Sequence, residues 1–315
     1  MTDTIPHSWS QSRLFQEFNF AAHADAFFGI ILQHKRTLEA LKGAELVRYC
    51  EDNIKPHLPH DLITILDDMK AGKTNAALIR GFRFGKNGIA KAEKTPFAVV
   101  TMAALNALLG TEPMRNDKDE IRIDDIYPEN KGGTKQIRSA QRLDYSNDAM
   151  AATHVPEFGA IACINGDPQA TLDIHDVGLL KDTLSPEAVE CLERRAFWFA
   201  EGSWMKDAVE KAGHMHNQPD HPSLRLIGSS YAVFENDTIR YSQDSAGTTP
   251  ASQSALEEFV TAINNQQPLS LGIKKGDIIL RNNRATIYGR SECQNFGLEE
   301  KVSLYIRQRA VAPCP

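Results

Sequence analysis

The sequence has no CxxC pair, and its five cysteines, Cys50, Cys163, Cys191, Cys293 and Cys314, are odd in number and widely scattered. That spacing excludes a zinc knuckle and gives no disulfide framework, so the thiols read as small buried apolar groups plus an exposed Cys314. Positive charge is not in excess either. The 35 Lys and Arg against 41 Asp and Glu leave a net charge of −6, which argues against a nucleic-acid or anionic-lipid partner. No apolar run is long enough to span a bilayer: Phe97 to Leu109 is the longest, and Thr101 and Asn106 interrupt it. The opening MTDTIPHSWSQ lacks the basic start and apolar stretch of a signal peptide. Internal repeats and low-complexity tracts are missing as well. These absences lead to the expectation of a cytoplasmic protein with no membrane or nucleic-acid partner, working on a small molecule and free to form a homo-oligomer.

What is present is an ordinary globular composition over 315 residues, 42% hydrophobic and 24% charged, enough for one large domain spanning 1–315. Residues 1–120 read as a mainly helical flank. Apolar positions three and four apart over 23–52 predict one long helix or two short ones, closed by Pro56 and Pro59. A short helix follows from His60, then a strand over Ala77–Gly81. Thr95-Pro96 before FAVVTMAALNALLG, with Gly110 after it, punctuates a further helix. From about residue 121 to 310 the pattern changes to short alternating runs such as FGAIACINGD, GDIILRNNRATIYG and KVSLYIRQRAV, the spacing of an antiparallel sandwich or barrel. SPEAVECLERRAFWF and PASQSALEEFVTAINN interrupt it as helices, the first ending in core packing rather than a nucleic-acid platform. A lid insertion is expected at about 200–222.

Several runs occur in an order that resembles a known family. ALIRGF is similar to the "LLLRGL" strand of the clavaminate-synthase-like (TauD-like) Fe(II)/2-oxoglutarate oxygenases, and IRIDDIYPENKG to the stretch before their metal motif. LDYSNDAMAATHVPEFGAIACINGDPQATLDIHDVGLL resembles the segment carrying their His-x-Glu pair and "RPDY" turn. LRLIGSSYAVFENDTIRYSQDS resembles the substrate-facing hairpin, and GDIILRNNRATIYGRSE the "GDLLLIDNRRAVHGR" run with the second histidine. The resemblance covers roughly residues 60–310 and is nearest to the arginine and asparagine oxygenases. It implies an α+β fold: a double-stranded β-helix (jelly-roll, cupin-like) barrel with a helical N-terminal flank. It also implies Fe(II), 2-oxoglutarate and a free amino acid or related metabolite as substrate.

The departures bear on the chemistry. Aligned through Pro156, the first histidine position falls on Ser146 and the carboxylate on Asp148, while the second histidine position falls on Tyr288. The 2-oxoglutarate-clamping arginine falls on or near Ser303, with Lys301 close by; Arg307 matches a second basic position and Thr171 the threonine that assists the clamp. Imidazole is a good ligand for Fe(II), whereas a serine hydroxyl and a neutral phenol are poor ones. Losing the arginine removes a charge-assisted pair, a loss of roughly 2–5 kcal/mol in a buried site. The departures therefore speak against both Fe(II) and 2-oxoglutarate.

Other residues offer alternatives. Thr171, Asp173 and His175 alternate along one strand and share a face; with Asp148 they would make a displaced metal site, or His175 simply pairs with Asp173. His154 and the His214-Met-His216 and His221 cluster read as loop residues or, for the cluster, as a lid histidine reaching substrate. Tyr288 is either a general acid at the centre of the barrel or an aromatic plug. Arg290 binds a substrate carboxylate or a structural partner, and Asp244 contacts the polar end of an amino acid or caps an exposed turn. Three functions follow. The first is an enzyme acting on an amino acid with an altered or absent metal site, centred on Asp148, Tyr288 and Ser146. The second is a conventional oxygenase with displaced ligands, Asp148 and His175. The third is a silent small-molecule-binding or partner protein.

Overall fold

The computed structural model describes residues 6, 9, 14–84, 97–115, 119–121, 123–126, 142–148, 155–165, 167, 169–198, 231–243, 245–293 and 305–313. Leu41 and Lys42 are extended and Gly43 takes the left-handed region at φ 52°, so the apolar stretch over 23–52 forms two helices, α1 (Ala24–Ala40) and α2 (Gly43–Asn53). They are followed by α3 (His60–Lys70) and α4 (Phe97–Leu108), whose residues are all buried. Gly110, at φ 82°, ends α4 in the left-handed conformation that only glycine adopts without strain. Its expected N-terminal punctuation, Thr95-Pro96, lies outside the described residues.

The early strands are β1 (Phe15–Asn19), β2 (Ala76–Arg80), β3 (Glu112–Pro113), β4 (Ile123–Ile126), β5 (Leu143–Ser146), β6 (Phe158–Cys163) and β7 (Thr171–Asp176). Helices α5 (Val177–Lys181) and α6 (Pro186–Leu192) come next, then the two-residue strands β8 (Phe197–Trp198), β9 (Phe234–Glu235), β10 (Thr238–Ile239) and β11 (Ala246–Gly247). Helix α7 (Pro250–Asn265) precedes β12 (Leu269–Gly272), β13 (Ile278–Asn282), β14 (Thr286–Arg290) and β15 (Tyr305–Val311). Thr249 and Ser252 close α7 with a reciprocal capping box. The run expected as a helix through Phe199 stops at Leu192 instead. Phe197 and Trp198 pair with Gly247 and Ala246, and cross-strand pairing overrides the local helical pattern.

Two sheets carry the fold. A seven-stranded sheet runs β1-β2-β13-β6-β15-β3, with β4 also paired to β15; a four-stranded sheet runs β12-β7-β14-β5. β2 is the strand expected over Ala77–Gly81, and β1, in the stretch read as mainly helical, pairs with it to complete the larger sheet. The alternation along each strand decides what goes where. Ala77, Ile79, Ala160, Ala162, Ile278 and Leu280 face the helices α1–α4 in one core cluster. Their neighbours Ala76, Leu78, Ile161, Cys163 and Ile279 join Leu172, Ile174, Leu269, Leu271 and Tyr288 in a second cluster between the sheets. On the far side of the smaller sheet, Ile287 packs with Phe259 and Leu256 of α7. The larger sheet is thus covered on both faces, which is why β13 and β6 read as nearly unbroken apolar runs. Among the described residues, no helix is long and apolar enough to cross a membrane.

Candidate functional site

At one end of the largely apolar inter-sheet layer, β5, β13, β14 and β15 bring polar side chains together. Tyr288 of β14 pairs in register with Ser146 of β5 and with Ile174 of β7. Residues directly opposite share a face, so Ser146 lies on the inter-sheet side with Tyr288. Two residues on, Asp148 is 3% exposed and accepts a hydrogen bond from the Tyr288 hydroxyl at 3.3 Å. The three positions singled out in the sequence are therefore brought together.

The carboxylate is not waiting for a metal. The guanidinium of Arg281, 0% exposed, donates through Nη2 to Asp148 Oδ2 in a buried ion pair. Arg309 Nε lies 3.6 Å from Asp148 Oδ1. The Arg281 guanidinium carbon also sits 3.9 Å from the centre of the Tyr288 ring, in cation–π contact. Asn283 fixes the arrangement: its Oδ1 accepts from the Asp148 backbone N–H at 2.8 Å and from Arg281 Nη1 at 2.9 Å, while its Nδ2 donates to the carbonyls of Asp148 and Pro156. A neighbouring amide does the same for the strand end, as Asn147 bridges Ile239 and Tyr241 through its side chain. Burial makes an unpaired carboxylate or guanidinium costly, so these groups hold one another.

Room for the guanidinium comes from Gly159 on β6, which pairs with Arg281 on one side and Arg309 on the other. A Cβ there would lie 3.1 Å from Arg281 Nη2 and 3.3 Å from its Cζ. Gly159→Ala is expected to push the guanidinium off the carboxylate and lower stability by about 1–2 kcal/mol; urea unfolding followed by circular dichroism checks this, and an unchanged midpoint counts against the packing described.

The displaced metal site is corrected by the strand alternation. Leu172 and Ile174 take the inter-sheet positions of β7, so Thr171, Asp173 and His175 occupy its opposite face. Thr171 donates to Asp173 at 3.0 Å rather than reaching Asp148. His175 packs edge-on against Tyr145, with ring centres 4.6 Å apart, and its Nδ1 lies 3.4 Å from Gln266 Oε1. Burial lowers its pKa to about 4, against the raising effects of the Gln266 hydrogen bond and the Asp173 charge. His175 therefore does not join Asp148. Among the described residues, no group of three His, Cys, Asp or Glu side chains could hold a metal ion.

Arg290 is buried and, two residues from Tyr288 on the same strand, faces the inter-sheet layer opposite Leu172. Arg307 is on β15, paired with Ile161; its side chain, together with Asp244, His154, His214, His216, His221, Lys301, Ser303 and the expected lid, lies outside the described residues. Arg281, Arg309 and Asn283 were missed in the sequence. A signal for Arg281 was nonetheless there: it occupies a place where the resembled run has isoleucine, in the middle of a buried strand, and a charge so placed requires a partner.

Among the described residues, Ser146, Asp148 and Tyr288 offer a hydroxyl, an ion-paired carboxylate and a phenol, a donor set that does not fit Fe(II).

These features define a two-sheet fold flanked by helices, with a polar centre enclosed between the sheets. The chain has this fold in common with non-haem iron oxygenases. Asparagine oxygenase, solved with Fe(II), 2S,3S-3-hydroxyasparagine and succinate, superposes with a TM-score of 0.71 at 17% identity over 94% of this chain and 93% of that one. The non-haem iron oxygenase OrfP, solved with Fe, succinate and (3S)-hydroxy-L-Arg, gives 0.71 at 14% identity over 94% and 93%; OrfP with Fe gives 0.69 with the same coverage. No family model and no curated protein matches the chain.

Proposed function

We propose that this protein acts on a free amino acid or a closely related small metabolite in the interior of a double-stranded β-helix, without iron or 2-oxoglutarate. The observation that carries the proposal is the buried Arg281–Asp148 pair, which spends on a guanidinium the one metal-binding carboxylate that the motif retains. The substrate class is supported by the fold shared with proteins solved with hydroxyasparagine and hydroxyarginine. In this reading Tyr288 is the proton-handling group of the centre, because its hydroxyl alone among Asp148, Arg281 and Tyr288 is a neutral group that both donates and accepts. Asp148 orients it, and the guanidiniums of Arg281 and Arg309 hold Asp148. Ser146, opposite Tyr288, adds a second hydroxyl to the inter-sheet face. Arg290 supplies a cation for a substrate carboxylate from the same strand, with Arg307 and Asp244 as further contacts. The site works in a cytoplasmic protein.

A second reading, binding without turnover, is favoured by how fully the centre bonds to itself: Asp148, Tyr288 and Arg281 are all at most 3% exposed. One experiment separates these readings from the oxygenase reaction. Anaerobic protein given Fe(II) and 2-oxoglutarate is expected to show no visible charge-transfer band and, after oxygen and each amino acid, no succinate above the uncoupled background. Thermal unfolding across the same amino acids is expected to give a stabilising shift with at least one. Product analysis on that ligand then distinguishes turnover, lost in Tyr288→Phe, from binding alone. A charge-transfer band with ligand-triggered succinate sinks the proposal.

A further inference from the structure

Three positions define where a metal would be held in the resembled motif, and here they are Ser146, Asp148 and Tyr288. A single cation touches two of them: the Arg281 guanidinium is ion-paired to Asp148 and stacked on the Tyr288 ring. We infer that Arg281 is a built-in substitute for the metal, a covalently tethered cation that occupies the centre and makes it refuse a divalent ion even when the lost ligands are restored.

Four observations converge on this. The guanidinium is completely buried, so it is not a surface charge that happens to reach inward. On the inter-sheet face it adjoins the apolar Ile279 and Ala76, and within β13 (Ile278–Asn282) it is the charged residue. Gly159 leaves the space it fills, with no room for a Cβ at ordinary contact distance. Among the described residues Arg281 Nε has no hydrogen-bond partner, so the guanidinium is held chiefly through the carboxylate, Asn283 and the tyrosine face. Electrostatics then decide the outcome. A dication brought to Asp148 would have to displace a guanidinium already at contact, or sit beside it with like charge in a poorly screened interior. Loss of the ligands and gain of the arginine are on this view two halves of one change. Tyr288 offers an aromatic face to a cation, which an imidazole bound to metal could not do as well.

The inference rests on the proposed absence of iron chemistry, and a metal titration tests the two separately. Wild type, Ser146→His/Tyr288→His, and the same pair with Arg281→Ile are titrated with Co(II), followed by calorimetry and visible absorption. Wild type and the double variant are expected to show no site above surface binding. The triple variant is expected to gain a site with visible d–d bands and an affinity at least about a hundredfold above the double variant. Asp148→Asn in the triple background should abolish it. Arg281→Gln, which keeps a hydrogen-bonding group toward Asn283 but no charge, replaces Arg281→Ile if that triple variant does not fold, as judged by circular dichroism. Co(II) binding at Asp148 in wild type would overturn the metal-free reading itself. Binding in the double variant as tight as in the triple, with wild type silent, overturns only the role given to Arg281. Folded triple variants of both kinds that bind no Co(II), or that bind it unchanged without Asp148, also overturn it.

Discussion

Arg281→Ile is expected to lower the unfolding free energy by about 3–5 kcal/mol, among the largest effects of any single change in this chain. Isoleucine fits the apolar strand position, so the loss does not come from shape. It comes from Asp148, which is 3% exposed and would lose the buried guanidinium that contacts it, while Arg309 Nε stays 3.6 Å away. The loss should therefore depend on the carboxylate. In Arg281→Ile/Asp148→Leu much of it is expected to return, giving a coupling energy of at least about 2 kcal/mol in a double-mutant cycle. Arg309 tolerates this better than Arg281 would, since its side chain is 14% exposed. Urea unfolding of the four proteins, with m-values compared to guard against a changed denatured state, is the measurement. Additive single changes would mean that the two side chains do not act as a pair.

How far the sequence could foretell this centre depends on what each signal encodes. Helix ends were legible wherever punctuation is local: Gly110 after α4 acts through its own backbone, and the run PASQSALEEFVTAINN coincides with α7. Strand positions in β6, β13, β14 and β15 were legible because apolar alternation is itself the physical cause of burial. The proximity of Ser146, Asp148 and Tyr288 could be read only through motif resemblance, because the register that pairs Ser146 with Tyr288 joins segments 142 residues apart. Facing was harder. Alternation shows that Thr171, Asp173 and His175 share a side, but not which side, and only the neighbours across the sheet settle it. Leu172 and Ile174 won the interior because Leu271 and Leu269 stand opposite them. The arginines were missed for a different reason. A charged residue in a strand usually marks the solvated face, and nothing local in GDIILRNNR announces a carboxylate 133 residues away.

The outward-facing His175 yields the other large effect, a pH dependence with a defined window. Its ring is buried against Tyr145 and Gln266 and, among the described residues, its Nε2 has no hydrogen-bond partner, which suits the neutral imidazole. With the folded pKa lowered to about 4 from an ordinary 6.5, the unfolded chain binds this proton more tightly than the native one. Stability from this group is thus complete above about pH 6.5 and is lost as pH falls toward 4, in total about 3 kcal/mol. Asp176 and Asp277, whose carboxyls burial pushes up, change stability with pH in the opposite sense. The informative quantity is therefore the difference between wild type and His175→Gln, which keeps a neutral polar group near Gln266. Unfolding free energies measured from pH 8 to 4.5 should fall more steeply in wild type by roughly 2–3 kcal/mol. Parallel curves would show that His175 titrates normally in the native state, and the outward face of β7 would then have to be more open to water than its packing against Tyr145 and Gln266 allows.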